Sequence, residues 1–274
     1  MCTISWKKDK VNLEKENLSR SYRSHSQGRL YVVGIGPGNT SLLTLKAQKI
    51  IEESQVIIGY STYIRLIDDL IKDKEVISYG MTQEVERAKY AIKRALSGDN
   101  VSLISGGDPG VYGMAGVVLQ LLDKEEDRIK IEIIPGVTAA SSCAALLGAP
   151  LMHDFVVISL SDILTDSKLI EQRIELAARG DFVIVFYNPK SKKRVRPLKR
   201  AWEILMKYRS GNTIVGIVRN AQRENEEVVI TALKNMLLSN KIDMRTIIIV
   251  GNSKTYTKGK FMITPRGYGL REEL

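Results

Sequence analysis

Only two of the 274 residues are cysteine, Cys2 and Cys143, and only two are histidine, His25 and His153. The cysteines lack the spacing of a disulfide framework or a zinc site, so the fold must rest on its core. A histidine-built metal centre is excluded for want of ligands, and no metal is expected. Long apolar runs are missing too. The longest, such as Thr246–Val250, are strand-sized, far short of the roughly 20 residues of a membrane span. No apolar stretch near the amino end reads as a secretory signal, and a cytoplasmic protein is the expectation. The composition is that of a soluble globular chain, long enough for one large or two modest domains with a sizeable core. The net charge of +10 is compatible with an acidic small substrate, nucleic acid, an anionic surface or plain solubility.

Residues 1–28 are polar and lysine-rich and read as a disordered basic extension. From Leu30 onward, strand and helix signals alternate. LYVVGIG is a buried-strand run ending in glycines, Ser41–Glu53 carries a helical stripe, and Gln55–Ile58 reads as a strand. Thr82–Leu96 is helical, Val101–Ile104 a strand, Val111–Leu122 a helix and Lys130–Ile134 a strand leading into a further helix. This alternation predicts an α/β fold with a parallel sheet covered by helices. After a connector at 148–154, strands are expected near Phe155–Ser159, Asp181–Tyr187, Thr213–Val218 and Thr246–Val250. Helices are expected near Leu169–Ala178, Leu198–Tyr208 and Ala232–Leu238, and Val228–Ile230 suits an added antiparallel strand. No internal repeat has a convincing period.

Three glycine loops follow strands in the first half: GIGPG (Gly34–Gly38), SGGDPGVYG (Ser105–Gly113) and PGVTA (Pro135–Ala139). The first fails the G-x-G-x-x-G spacing of a dinucleotide site, and no G-K-[ST] follows it. Each loop has a plain structural reading: a tight turn, an Asp-Pro turn, a helix cap at Thr138. All three, however, fall at the predicted carboxyl ends of parallel strands, where open α/β sheets bind ligands.

Two further segments stand out. YNPKSKKRVRPLKR, from Tyr187, gathers Lys190, Lys192, Lys193, Arg194 and Arg196. It reads either as a solvated loop and helix start or as an anion-binding lip. Few aromatics are interleaved, which argues against single-stranded nucleic acid. GAPLMHDFVVISLSD places His153 beside Asp154 at the connector, as structural residues or as a proton donor and acceptor.

Together these segments resemble the S-adenosylmethionine methyltransferases that modify tetrapyrroles, the class III or tetrapyrrole methylase family. Within it, VVGIGPG, GYSTYI, SGGDPGVYGMA, IPGVTAA, LGAPLMHDFVVISLSD, FYNPKSKKR and TPRGYG are most similar to the group that methylates C17 of precorrin-3B or cobalt-factor III. The resemblance runs from about Leu30 to Gly269. It implies two α/β domains, 29–148 and 149–274, with the cofactor in the cleft between them, and a homodimer. It implies C17 methylation with ring contraction in cobalamin biosynthesis, a branch of porphyrin metabolism. S-adenosylmethionine is the implied methyl donor, S-adenosylhomocysteine the product, and a corrin precursor the partner.

Carried over by motif, the cofactor contacts are Pro37, Gly106, Gly107, Asp108, Val111, Thr138, Ala139, Asn188 and Ala221. His153 and Asp154, with Tyr112, are the candidates for the proton transfers of ring contraction. Lys190, Lys192, Lys193 and Arg194 would hold the substrate's acetate and propionate groups. Two departures are Asn39, where many relatives carry an aspartate after the first loop, and Met152, where glycine is common. An asparagine cannot act as a general base. The same fold acting on uroporphyrinogen or ribosomal RNA, or binding a tetrapyrrole without catalysis, are the alternatives. The cobalt content of the substrate is left open.

Overall fold

The computed structural model describes residues 28–122, 129–191 and 194–268; the expected amino-terminal extension otherwise lies outside them. A first sheet contains β1 (Arg29–Gly34), β2 (Val56–Tyr60), β3 (Glu75–Tyr79), β4 (Asn100–Ser105) and β5 (Lys130–Ile134) in the order β3-β2-β4-β1-β5. Every pairing in it is parallel. Period-2 alternation divides β1 between two cores. Leu30 and Val32 pack with helix α2 (Glu84–Leu96) and α3 (Met114–Leu121), while Val33 packs on the other face with α1 (Leu45–Glu53). Burial on both faces explains why the strands read as near-continuous apolar runs.

A second sheet joins β7 (Phe155–Ser159), β8 (Val183–Tyr187), β9 (Ile214–Arg219), β10 (Glu227–Ala232) and β11 (Thr246–Val250), in the order β10-β9-β11-β8-β7. Only β7 and β8 pair in parallel; the other three pairings are antiparallel. Ile184 and Phe186 face α5 (Ser167–Arg179) and α6 (Arg196–Tyr208), whereas Val183 and Val185 face α4 (Ala139–Leu147). Helix α4 therefore starts at the end of the first sheet and buries its body against the second. Gly216 makes room for it, since a Cβ there would lie 2.4 Å from a Leu147 methyl. A small third sheet pairs β6 (Gly148–Ala149) with β13 (Phe261–Ile263), and β13 with β12 (Tyr256–Lys258).

Several elements differ from the sequence expectation. The stretch expected as one helix from Ser41 is a 3-10 turn, Thr40–Leu42, followed by α1. Leu43 and Thr44 are extended, and Thr44 Oγ1 accepts from Ala47 N at 3.1 Å. Asn39 caps the 3-10 turn, its Oδ1 accepting from Ser41 N at 2.9 Å. The helix expected from Val111 begins only at Met114, because Tyr112 holds a φ of 53° and Gly113 is extended. Residues Leu233–Leu238 form a 3-10 segment rather than an α-helix. Strand β3 and the segment Ser61–Leu70, helical and then 3-10, carried no sequence signal.

Candidate functional site

The three glycine loops meet because β4, β1 and β5 are adjacent and all point their carboxyl ends the same way. Their backbones are in direct contact. Gly36 N donates to Gly107 O at 3.1 Å, and Gly107 N donates to Gly36 O at 2.8 Å. Only glycine permits this approach. A Cβ on Gly136 would lie 2.3 Å from Gly107 O and 2.9 Å from Gly34 O. Gly36 and Gly107 also hold φ near +70°, at 71° and 66°, where side chains are strained. Asp108 fastens the cluster: Oδ1 accepts from Gly110 N at 2.8 Å and Oδ2 from Gly136 N at 3.1 Å.

The second sheet closes the site from the opposite side. Tyr187, at the end of β8, accepts from Ala140 N at 2.8 Å and shares a 2.6 Å hydrogen bond with Thr138 Oγ1. Burial raises its hydroxyl pKa against the lowering pull of these two bonds. Tyr112 stacks at a tilt on Tyr187, ring centroids 5.4 Å apart, and its hydroxyl reaches β7. There it donates to Val157 O at 3.2 Å and accepts from Ser159 N at 3.0 Å. Arg223, after β9, donates from Nε to Pro37 O at 2.5 Å. Its stem packs on Gly38, where a Cβ would meet Arg223 Cγ at 2.3 Å.

Between these walls lies a cavity of about 520 Å³, within the range of small-molecule sites. All nine residues expected to contact the cofactor line it: Pro37, Gly106, Gly107, Asp108, Val111, Thr138, Ala139, Asn188 and Ala221. Tyr112 lines it as well. So does the buried Cys143, whose thiol pKa is pushed up to about 12 by burial and then by Glu226.

The other expected residues are not brought together there. His153 and Asp154 precede β7, while the cleft lies beyond the carboxyl end of the parallel strand β8. The length of β7, roughly 16 Å at ~3.3 Å per residue, separates Asp154 from that end. The pair is exposed, with Asp154 N donating to His153 Nδ1 at 2.7 Å, and lines a separate cavity of about 440 Å³ with Lys254 and Arg266. That position places both outside the wall of the cleft.

Lys192 and Lys193 lie outside the described residues, and Lys190 is not part of the cavity wall. Arg194 is turned onto its own chain, donating from Nη2 to Asn188 O at 3.1 Å and facing Asp162 at 3.8 Å. It steadies Asn188, which holds a φ of 52° and also donates to Ser159 Oγ at 3.0 Å.

Sequence reasoning missed the rest of the wall. Tyr60 and Tyr63 line it in an edge-on pair, centroids 5.3 Å apart, with Met81 and Met244. Three arginines, Arg65, Arg223 and Arg245, complete it. An isolated arginine has no spacing signature that could have singled it out.

Comparison with known proteins identifies the family and the fold. The family described as Tetrapyrrole (Corrin/Porphyrin) Methylases matches residues 29–237. The cobalt-factor III methyltransferase of Priestia megaterium is 52% identical over 246 residues, covering 88% of this chain but 45% of that protein. The chain thus spans less than half the length of that relative. The probable cobalt-factor III C(17)-methyltransferase of Salmonella typhimurium is 47% identical, covering 88% of this chain and 100% of the relative. Among solved structures, the methyltransferase CobJ superposes with a TM-score of 0.81 at 34% identity, covering 87% of this chain and 100% of that one. The uroporphyrin-III C-methyltransferase of Thermus thermophilus, complexed with S-adenosylhomocysteine, superposes at 0.62 and 26% identity, covering 82% and 92%.

Proposed function

The chain belongs to the tetrapyrrole (corrin/porphyrin) methylases, and we propose that it methylates C17 of a corrin precursor, precorrin-3B or cobalt-factor III, with ring contraction in cobalamin biosynthesis. S-adenosylmethionine is the proposed donor. The observation that carries methyl transfer is the convergence of all nine motif-derived residues on one cavity between the two sheets. The C17 acceptor is supported by the relatives' names and by 47% identity along the whole of the Salmonella protein.

The residues present fit the proposed donor. The three glycine loops offer backbone amides and carbonyls rather than a lysine-lined phosphate cradle, which suits a sulfonium. The missing side chain of Gly107 leaves a gap bounded by Ala139 N at 3.8 Å and Thr138 Cα at 3.9 Å, which a Cβ would enter. When bound, S-adenosylmethionine supplies an electrophilic methyl group that a nucleophilic ring carbon takes from sulfur, leaving the thioether.

Such a displacement asks the protein for alignment more than for a strong base. Asp108 fixes two of the glycine loops to one another, and Tyr187 fixes the start of α4 to the second sheet. Arg194 and Ser159 hold Asn188 against the cavity. Tyr112 is the one expected proton-handling residue on the cavity wall. Its hydroxyl is engaged by β7 on both its donor and acceptor sides, which supports a positioning role. A cytoplasmic homodimer belongs to the same reading, and light scattering of the purified protein tests the dimer.

The experiment that tests the function is transfer of labelled methyl from S-adenosylmethionine to a trimethylated corrin precursor, with and without cobalt. Label on the macrocycle in either case supports the proposal and identifies the metal state. Absence of label in both, with S-adenosylhomocysteine bound tightly, keeps the methyltransferase and refutes the corrin acceptor.

A further inference from the structure

The cofactor loops occupy only part of the cleft. They follow β4, β1 and β5, which lie side by side at one end of the first sheet. The loops after β2 and β3, at the other end, build the remainder, with Tyr60, Tyr63, Arg65 and Met81 on the wall. Facing them from the second sheet are Arg223, Met244 and Arg245. This lobe therefore combines flat aromatic and thioether surface with three guanidinium groups, one from the first sheet's side and two from the second's.

These cations are poorly neutralised by the protein itself. Arg223 is half-buried, and its pKa is lowered by burial, to which the charge of Arg245 adds. Its one side-chain hydrogen bond among the described residues, to Pro37 O, uses Nε and leaves both terminal nitrogens of the fork for another acceptor. Among the described residues the Arg65 side chain reaches only Thr62 Oγ1, at 3.4 Å. Neither has an ion-pair partner among the described residues. Arg245 approaches Asp243 at 3.6 Å, but the same carboxylate oxygen is held more closely by Arg219, at 2.9 Å. Arg65 and Arg245 are exposed, whereas the partly desolvated Arg223 is the costly charge, and an anion brought to its free nitrogens would offset that cost. A planar fork is the group that recognises carboxylates in two-point fashion.

We propose that Arg65, Arg223 and Arg245 read the peripheral carboxylates of the methyl acceptor, Arg223 from within the cleft and Arg65 and Arg245 from its mouth. The inference rests on the acceptor being a carboxylate-bearing tetrapyrrole. It moves substrate recognition from the loop around Lys190 to residues on both walls of the cavity. An acidic macrocycle would then bridge the two sheets while its ring lies against Tyr60, Tyr63 and Met81.

The test measures binding of uroporphyrin, a porphyrin polycarboxylate, and of its fully methylated ester by fluorescence quenching, with S-adenosylhomocysteine affinity measured alongside. Arg65→Gln and Arg245→Gln avoid Arg223, whose bond to Pro37 also supports a cofactor loop. The expected result is that the wild type prefers the acid to the ester. Each variant should lose roughly tenfold to a hundredfold in affinity for the acid, the range of a lost charged hydrogen bond, and keep its affinity for S-adenosylhomocysteine. Arg245→Lys should recover part of the loss. Uroporphyrin affinity unchanged in Arg65→Gln, Arg245→Gln and their double variant overturns the inference while leaving the methyltransferase reading intact. Weakened S-adenosylhomocysteine binding with unchanged uroporphyrin binding also overturns it, by assigning the guanidinium groups to the cofactor. A wild type that binds S-adenosylhomocysteine but neither porphyrin refutes the tetrapyrrole acceptor, and the inference with it.

Discussion

Replacing Gly136 by alanine tests whether the site depends on three loops meeting backbone to backbone. The added Cβ would lie 2.3 Å from Gly107 O, 2.8 Å from Gly34 C and 2.9 Å from Gly34 O. None of these atoms is the free end of a side chain, so relief requires moving the loops after β1 and β4 away from the loop after β5. The movement would also stretch the bond from Gly136 N to Asp108 Oδ2. Overpacking costs about 1–3 kcal/mol, and a clash with backbone on two sides belongs at the upper end. At about 2–4 °C per kcal/mol for a chain of this size, the melting temperature should fall by roughly 6–12 °C. Because the displaced loops form the proposed cofactor wall, affinity for S-adenosylhomocysteine should fall by about a hundredfold. Scanning calorimetry and titration calorimetry on the same preparation read both quantities. A variant that melts within about 1 °C of the wild type and binds S-adenosylhomocysteine normally would refute the argument.

Three further predictions follow from other parts of the molecule. Tyr112→Phe keeps the ring against Tyr187 but removes both hydrogen bonds to β7, so kcat and KM should change with no change in the shape of the pH–rate profile; loss of one limb of that profile would instead make Tyr112 a proton carrier. Gly116→Ala, at an exposed position inside α3 with nothing nearer than Gln120 Nε2 at 3.8 Å, should stabilise by about 0.5–1 kcal/mol, and a lower melting temperature would contradict the packing described. The Cys143 thiol, pushed up to about 12 by burial, favours the protonated form in the folded chain against a value near 8.5 when unfolded. Stability from this group is therefore undiminished below pH ~8.5 and declines above it, by about 2 kcal/mol at pH ~10. Urea unfolding of wild type and Cys143→Ala at pH 8 and 10 should show that extra decline only in the wild type.

The glycine loops were legible in the sequence because their signature is local. GIGPG, SGGDPG and PGVTA each follow a buried apolar strand, and a parallel sheet carries all such junctions to one edge. What depends on direction or on tertiary contact was not legible. His153 and Asp154 sit before β7 rather than after it, so the strand places them at the end of the sheet away from the cavity; their adjacency to a chemistry-bearing segment in sequence concealed this. Strand β3 is an edge strand with Glu75, Val76 and Ser78 exposed, and thus shows none of the apolar run that marked its neighbours. Arg65, Arg223 and Arg245 come from segments 158 and 22 residues apart and meet only when the two sheets dock. Arg194 had the right charge for an anion contact, but the fold turns it onto Asn188 and Asp162.

The distribution of backbone strain is consistent with a site built for alignment. Among the described residues, seven non-glycine residues hold a positive φ, and three of them, Tyr112, Asn188 and Asn220, line the cleft, with Gln222 in the same loop as Arg223. Such conformations cost of order 1–3 kcal/mol each, less for asparagine, which tolerates them best. They persist because the surroundings over-determine them. Tyr112 is held by two bonds to β7, and Asn188 by Arg194 and Ser159. Asn220 donates from its amide to Asn225 O at 3.2 Å. The first of these ties crosses from one sheet to the other, as do the bonds from Arg223 to Pro37 and from Tyr187 to Thr138 and Ala140. A cleft strapped across in this way holds its two walls at a fixed separation, which is what a direct displacement between two bound molecules requires.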